Sequence, residues 1–253
     1  LAYHEWKAGL CDRMIDILGA DHKLISSQLR AVLQVLGIKQ PEIVIFEFVS
    51  LPEGSMSTRR GVFISADELL DQIEARALEE VSKRRPETDE SFRKDVAKAV
   101  GIGAVRYDII RVSPDKSTVF NWEEALDFEK QGAPFIQYAH ARACSILEKA
   151  KAEGITMDGF DLALLVEEQE AALIRHMAKF GSVIETAASE RKPHLLALYA
   201  RELADRFNQF YRYVSVLGAE EDVRASRLAL VDCARIVLAN ALDTLGIAAP
   251  ASM

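Results

Sequence analysis

An α/β unit followed by an all-α domain is the fold class predicted for this 253-residue chain, and three observations predict it. The first fifty residues alternate short runs rich in Val, Ile and Phe with one amphipathic stretch, the pattern of strand, helix, strand. From residue 65 onward the apolar spacing changes to three and four, the helical period. After Pro134 that period dominates almost without interruption, with short connections.

Taken in order, "RMIDILG" at 13–19 reads as a buried strand ending in Gly. "HKLISSQLRAVLQVLG" at 22–37 places Leu24, Ile25, Leu29, Val32, Leu33 and Leu36 on one stripe, closed by Gly37 as a C-terminal cap. "PEIVIFEFVSL" at 41–51 is a second strand. Together they make a βαβ unit, hence a parallel pair with a right-handed crossover. Ser65 with Glu68 three residues later forms a capping box opening the next helix. Residues 90–110 read as helix and 112–126 as a connection. Helices are then expected at 135–153, 161–189, 193–216 and 220–246. In the last of them Leu230, Ala234, Val237, Ala241 and Leu245 suit a central bundle position. A boundary is expected near 115–130.

The formal net charge of -8 excludes a protein that coats nucleic acid indiscriminately, though not a basic face on an acidic body. No apolar run reaches the roughly 18–20 residues a membrane span needs. Cys11, Cys144 and Cys233 are widely spaced without a CxxC pair, which suggests reduced thiols, each expected to be buried. The opening "LAYHEWK" reads as if cut from within a helix, so a fragment of something longer is expected.

Four stretches carry candidate chemistry. In "PEGSMSTRRGVF" at 52–63, Gly54 and Gly61 bracket Ser55, Met56, Ser57, Thr58, Arg59 and Arg60 at the carboxyl end of a strand, where polyphosphate could be wrapped. The bland alternative is a solvated turn, and no P-loop spacing is present. "GADH" puts Gly19, Asp21 and His22 at the same sheet edge, either to bind ribose or a cationic substrate or with Asp21 as an ordinary helix cap. No metal spacing surrounds it. In "PFIQYAHARACSIL", Ala139, Ala143 and Ile146 form a packing seam, and Tyr138, Ala141, Arg142 and Ser145 share another face, suited to stacking on unpaired bases or, more commonly, only a half-buried Tyr beside a solvated Arg. "FNQFYRY" repeats the theme with Phe210, Tyr211 and Arg212, where core aromatics are the alternative. The Glu-rich faces of 65–90 and 161–173 read as solvated surfaces.

These stretches resemble the class I arginyl-tRNA synthetases, especially the archaeal kind, over essentially the whole chain. "SMSTRRG" is similar to that family's version of the KMSKS loop, often "KMSTRKG". "DRMIDILGADH" resembles the strand and turn after its arginine-recognising helix. "PFIQYAHARACSIL" and "RLALVDCARIVLANALDTLGIAAPASM" resemble the first and last helices of its α-helical anticodon-binding domain, which typically ends near a Met such as Met253.

The resemblance implies the C-terminal half of a Rossmann-like catalytic domain at 1–64, a helical stem-contact or connecting region at 65–125, and a DALR-type anticodon-binding bundle at 126–253. It implies ATP-dependent ligation of arginine to tRNA(Arg), with ATP and Mg2+ required, in the cytoplasm. tRNA(Arg) and arginine are the implied partners, with no membrane and no DNA among them. Ser55, Met56, Ser57, Thr58, Arg59 and Arg60 would close over ATP. Gly19, Asp21 and His22 would line the arginine and adenosine pocket. Tyr138, His140, Arg142, Tyr211 and Met253 would lie near the anticodon loop. Ser55 replaces the first lysine of the signature, and the HIGH-like motif and the N-terminal domain of the family are absent. The chain by itself is therefore expected to be inactive in arginylation. The alternative is a non-catalytic RNA-binding or assembly module with the same architecture, and a purely structural scaffold is a third possibility.

Overall fold

The computed structural model describes residues 1–50, 64–129 and 132–253. The loop residues Ser55, Met56, Ser57, Thr58, Arg59 and Arg60 lie outside the described residues. Two compact units emerge, one from the described residues up to 50 with 112–120, the other from 64–111 with 121–253.

In the first unit α1 (Ala2–Ala8) precedes β1 (Ile15–Gly19), a 3-10 turn (Ala20–His22), α2 (Lys23–Val35) and β2 (Glu42–Phe46). β1 and β2 pair in parallel, Ile15 opposite Glu42 through Gly19 opposite Phe46. Gly37 closes α2 at φ +67°, with the Ile38 N–H returning to the Leu33 carbonyl at 2.9 Å.

Three expectations for this unit are corrected. The strand expected at 41–51 divides after Phe46, where the Glu47 N–H turns to the Pro114 carbonyl. β3 (Val49–Ser50) then pairs in parallel with β4 (Thr118–Val119), a strand supplied by the segment read as mere connection. Asp21 is not the cap of α2, because a 3-10 turn intervenes and its Oδ1 meets the His22 Nδ1 instead. β1 is not the buried strand expected at 13–19, since Ile15 and Ile17 stand exposed at 44% and 67%; on α2 Leu33 is fully enclosed, while Leu24, Ile25 and Leu36 stay more than half exposed. Two paired strands lie only about 5 Å apart, a floor too narrow to cover a stripe that wide.

In the second unit the Ser65 Oγ accepts from the Glu68 N–H at 3.1 Å, and the Glu68 carboxylate accepts from the Ser65 N–H at 2.9 Å. This capping box opens α3 (Ala66–Arg84). Asp89 caps α4 (Glu90–Ile110). The two helices pack along Ile73, Ala77 and Val81 against Val96, Ala97 and Val100. At Gly101 a Cβ would come within 3.2 Å of the Glu74 Cα, so the absent side chain permits the approach. α5 (Trp122–Ala125) follows, then α6 (Ala133–Ala152), with Pro134 in its first turn where no N–H is missed.

The segment expected as one helix over 161–189 is a 3-10 turn (Leu162–Leu164), α7 (Glu168–Met177) and α8 (Phe180–Glu190). α7 buries Leu173 and His176 whereas α8 buries no residue fully, so no single stripe spans the break. α9 (His194–Tyr213) and α10 (Glu221–Thr244) pack on α6 and on each other. The core they share includes Ala139, Ala143, Leu203, Phe207, Phe210, Ala234 and Leu238, so the expected small-residue seam is buried.

Other placements depart from the sequence reading. Ala141 is buried with Ala77, Val81, Val96, Val100 and Met253 rather than exposed beside Arg142. Glu170 is fully buried, because Arg227 Nε reaches its carboxylate at 2.6 Å while Arg227 Nη1 holds the Ser215 carbonyl. Cys11 and Cys233 are exposed, and Cys144 alone among the three is buried. No helix among the described residues is long and apolar enough to cross a membrane.

Candidate nucleic-acid interface

On α6 the positions 135, 138 and 142 follow three-and-four spacing, on the face flanking the buried seam at 139, 143 and 146. On α9 the positions 201, 205, 208 and 212 do the same. These two faces border adjoining cavities of about 560 and 990 Å3 that share Glu129, Phe135 and Asn208 as walls. The smaller cavity is completed by Arg84, Arg85, Phe128, Tyr138, Arg142 and Met253. The larger adds Tyr107, Arg111, Arg201, Arg212 and Tyr213.

Arg142 is the centre of the arrangement. Its guanidinium lies 4.7 Å from the ring centroid of Tyr138 and 4.7 Å from that of Tyr211, and it donates to the Asn208 Oδ1. Stacking between two aromatic faces fixes the planar fork of an arginine in a way a lysine cannot reproduce. Both tyrosines remain nearly half exposed, at 43% and 46%. The theme recurs around the rim, with Arg84 over Phe128 at 4.5 Å and Arg212 over Tyr213 at 5.5 Å. Six arginines against the acids Glu129 and Asp205 give these walls a cationic surplus on an acidic chain. Arginine and aromatic side chains side by side suit unpaired bases and their phosphates.

A strap of main chain beyond α10 closes one wall. Arg106 Nη1 donates to the Gly246 carbonyl at 2.6 Å, and Gln137 Nε2 donates to the carbonyls of Ala99 and Ala248. The His140 Nδ1–H bonds the Pro250 carbonyl at 3.0 Å, and Arg85 reaches the Met253 main-chain oxygen. Burial holds the His140 imidazole below its usual range, favouring the neutral ring. Tyr107, donating to the Ala197 carbonyl at 3.4 Å, is pushed up to about 12 by burial and stays a protonated donor.

Of the residues singled out from the sequence, Tyr138, Arg142, Tyr211 and Met253 converge here. His140 lies buried behind the wall and acts on the strap rather than on the cavity surface. Asn208, Arg84, Arg85, Phe128, Glu129 and Phe135 are additions. Phe135 on the α6 face and Asn208 on the polar 201/205/208/212 stripe of α9 follow local spacing, while Arg84, Arg85, Phe128 and Glu129 reach the cavities only through tertiary packing. In the other unit Gly19 ends β1, and Asp21 and His22 sit exposed beyond it, 2.9 Å apart. A Cβ at Gly19 would come within 2.8 Å of the Asp21 Oδ1, the tip of an exposed side chain that can swing away. Among the described residues no three His, Cys, Asp or Glu side chains gather as a metal site, so no ligand is assigned to the implied magnesium.

Residues 136–253 match the DALR anticodon binding domain. The arginine–tRNA ligase of Methanosarcina barkeri (strain Fusaro / DSM 804) is 72% identical over the whole of this chain, which covers 45% of that relative. That of Methanococcoides burtonii is 66% identical with the same coverage. Thus the chain spans less than half the length of the curated relatives it matches. Among solved structures, the Thermus thermophilus arginyl-tRNA synthetase superposes with a TM-score of 0.86 at 33% identity, over 95% of this chain and 41% of that one. The Plasmodium falciparum arginyl-tRNA synthetase shares the fold, with a TM-score of 0.77 at 18% identity, over 96% of this chain and 42% of that one. By sequence and by fold, the whole of this chain is thus similar to somewhat less than half of the arginine–tRNA ligases it matches, and its residues 136–253 match the DALR anticodon binding domain.

Proposed function

We propose that this chain supplies the tRNA-gripping and KMSKS-like part of an enzyme that ligates arginine to tRNA(Arg) at the expense of ATP. The observation that carries the reading is Arg142 held between Tyr138 and Tyr211 beside Met253, in a cationic cleft on the DALR bundle. Bases splayed from an anticodon loop would stack on the tyrosines, and Arg84, Arg85, Arg201 and Arg212 would neutralise flanking phosphates. Gly19, Asp21 and His22 would face arginine or adenosine at the carboxyl end of β1. The loop at Ser55, Met56, Ser57, Thr58, Arg59 and Arg60 would close over the triphosphate, with its arginines countering charge on the departing pyrophosphate. Mg2+ would accompany ATP as its counter-ion.

The three regions expected from the sequence, 1–64, 65–125 and 126–253, serve in this reading as part of the nucleotide fold, a stem-facing connection and the anticodon module. Positioning both ends of ATP needs more than the share of the ligase fold present here, so binding and catalysis separate. The 253-residue chain is expected to bind tRNA(Arg) and to leave it uncharged. Fluorescence titration at matched salt, with tRNA(Arg) and with a transcript whose anticodon is exchanged, tests the first part. Equal affinities would refute anticodon reading. Arginylation by the purified chain above a no-enzyme control would refute the second part.

A further inference from the structure

The connection between α6 and α7 holds large apolar side chains out in water on a backbone that is pinned in place. Phe160, Leu162 and Val166 are exposed at 51%, 65% and 79%, and Met157 at 39%. Single exposed apolar residues need no explanation, but four on one short connection do. The backbone beneath them is fixed from α10. The buried Ser226 hydroxyl accepts from the Asp161 N–H at 2.9 Å and donates to the Asp161 carbonyl at 2.8 Å, with the Asp222 carbonyl 3.3 Å away. The Asp161 carboxylate accepts from the Ala163 N–H at 2.9 Å and so opens the 3-10 turn Leu162–Leu164. Phe160 and Leu162 flank Asp161 in the chain and are therefore presented beside the first turns of α10. A partner that binds to a segment already ordered loses little entropy in ordering it.

Next to this segment a groove of about 630 Å3 opens between the end of α6 and α10, with Leu147, Ile155, Met157 and Leu228 on its walls. Asp158 stands there too, with Lys151 and the mutually paired Asp232 and Arg235. The groove shares no residue with the cleft around Arg142.

Charge decides what kind of partner fits. Residues 155–168 contain Asp158, Asp161, Glu167 and Glu168, all exposed, and neither Lys nor Arg. Exposed Glu221 and Asp222 follow at the start of α10. Of the next two arginines, Arg224 and Arg227, the second is turned inward onto Glu170. An acidic border repels phosphates and anionic lipid headgroups, and it repels a second copy of itself. It attracts Lys and Arg.

We propose that the α6–α7 connection, with the start of α10, is a docking surface for a partner protein that presents a basic amphipathic helix. The apolar stripe of that helix would lie on Phe160, Leu162 and the groove at Met157, with its cations toward the acids of the border. The proposal goes beyond tRNA binding and does not depend on it.

The test uses the 253-residue chain and a fluorescein-labelled peptide of about 18 residues, with Leu at three-and-four spacing and Lys elsewhere. Fluorescence anisotropy should give saturable binding that weakens as salt is added. Phe160→Ser with Leu162→Ser should weaken it by about tenfold or more. Asp158→Lys with Glu221→Lys should also weaken it, and should bind a second peptide in which Glu replaces every Lys. All four side chains are exposed, so the thermal midpoints should stay near that of wild type. A scrambled peptide of the same composition should bind about tenfold more weakly or worse. Equal binding of the scrambled peptide, or undiminished binding by the double serine variant, would reduce the contact to unspecific charge and overturn the proposal. So would the absence of binding at about 100 μM wild-type chain. Loss of self-association in the double serine variant, read by sedimentation velocity, would give the surface to a second copy and overturn it as well.

Discussion

Arg142 concentrates the argument at the scale of single residues. Its charge is held by two tyrosine faces and an amide oxygen, so its loss removes the fork and lets both rings rotate. Arg142→Ala is expected to weaken tRNA(Arg) binding by about tenfold or more, and Arg142→Lys to recover little of it, because an ammonium cannot stack as a plane. Filter binding at constant salt checks this, and full recovery by lysine would show that charge alone matters. His140 yields a prediction in pH. Burial lowers its pKa from 6.5 in the folded chain, so the unfolded chain takes up the proton more readily. The associated stability is complete above about pH 6.5 and is lost as pH falls through 6.5 toward the folded value. Thermal melts should show that decline, and His140→Gln should flatten it, Gln still being able to donate to Pro250. Identical acid profiles for the two would remove His140 from the account.

At the scale of elements, the hidden ion pair between α7 and α10 matters more than the many charges on the surface. Glu170 is fully buried and Arg227 nearly so, and Arg227 also fixes the Ser215 carbonyl in the turn after α9. Removing one partner strands the other charge out of water, so Glu170→Ala should cost about 3–5 kcal/mol in denaturant unfolding. A cost below about 1 kcal/mol would mean that water reaches the site. The Ser65 cap is exposed, and Ser65→Ala should cost only about 1 kcal/mol. The start at Ser65 is visible in sequence as a hydroxyl residue with Glu three positions on, whereas the start at Glu167 lies inside the stretch that reads as one helix over 161–189. Only the folded chain, however, distinguishes Glu68, serving its own helix in water, from Glu170, which serves its helix and a distant arginine.

For the whole molecule, the first unit leaves Ile17, Leu24, Ile25, Val35 and Phe48 more than half exposed, much apolar surface for so small a unit. The isolated 253-residue chain should therefore associate with itself at micromolar concentration, and Ile17→Lys with Val35→Lys should suppress it. Sedimentation velocity across a concentration series decides the matter, and a strictly monomeric wild type would contradict it. Sequence by itself determined the order of strand, helix, strand, the parallel pairing of Ile15–Gly19 with Glu42–Phe46, and the buried seam of α6, since local period and turn residues encode them. It also placed Tyr138, Arg142 and Tyr211 as binding candidates, because an aromatic with an arginine on a helix face is a local pattern. It could not reveal that Thr118 and Val119 complete a strand pair with Val49 and Ser50, or that Ala141 faces Met253 across a second core. Nor could it show Arg84, Phe128 and Glu129 arriving at the α6 face from other segments. Those placements depend on contacts between residues dozens of positions apart, and a one-dimensional period carries no record of which distant surface will cover it.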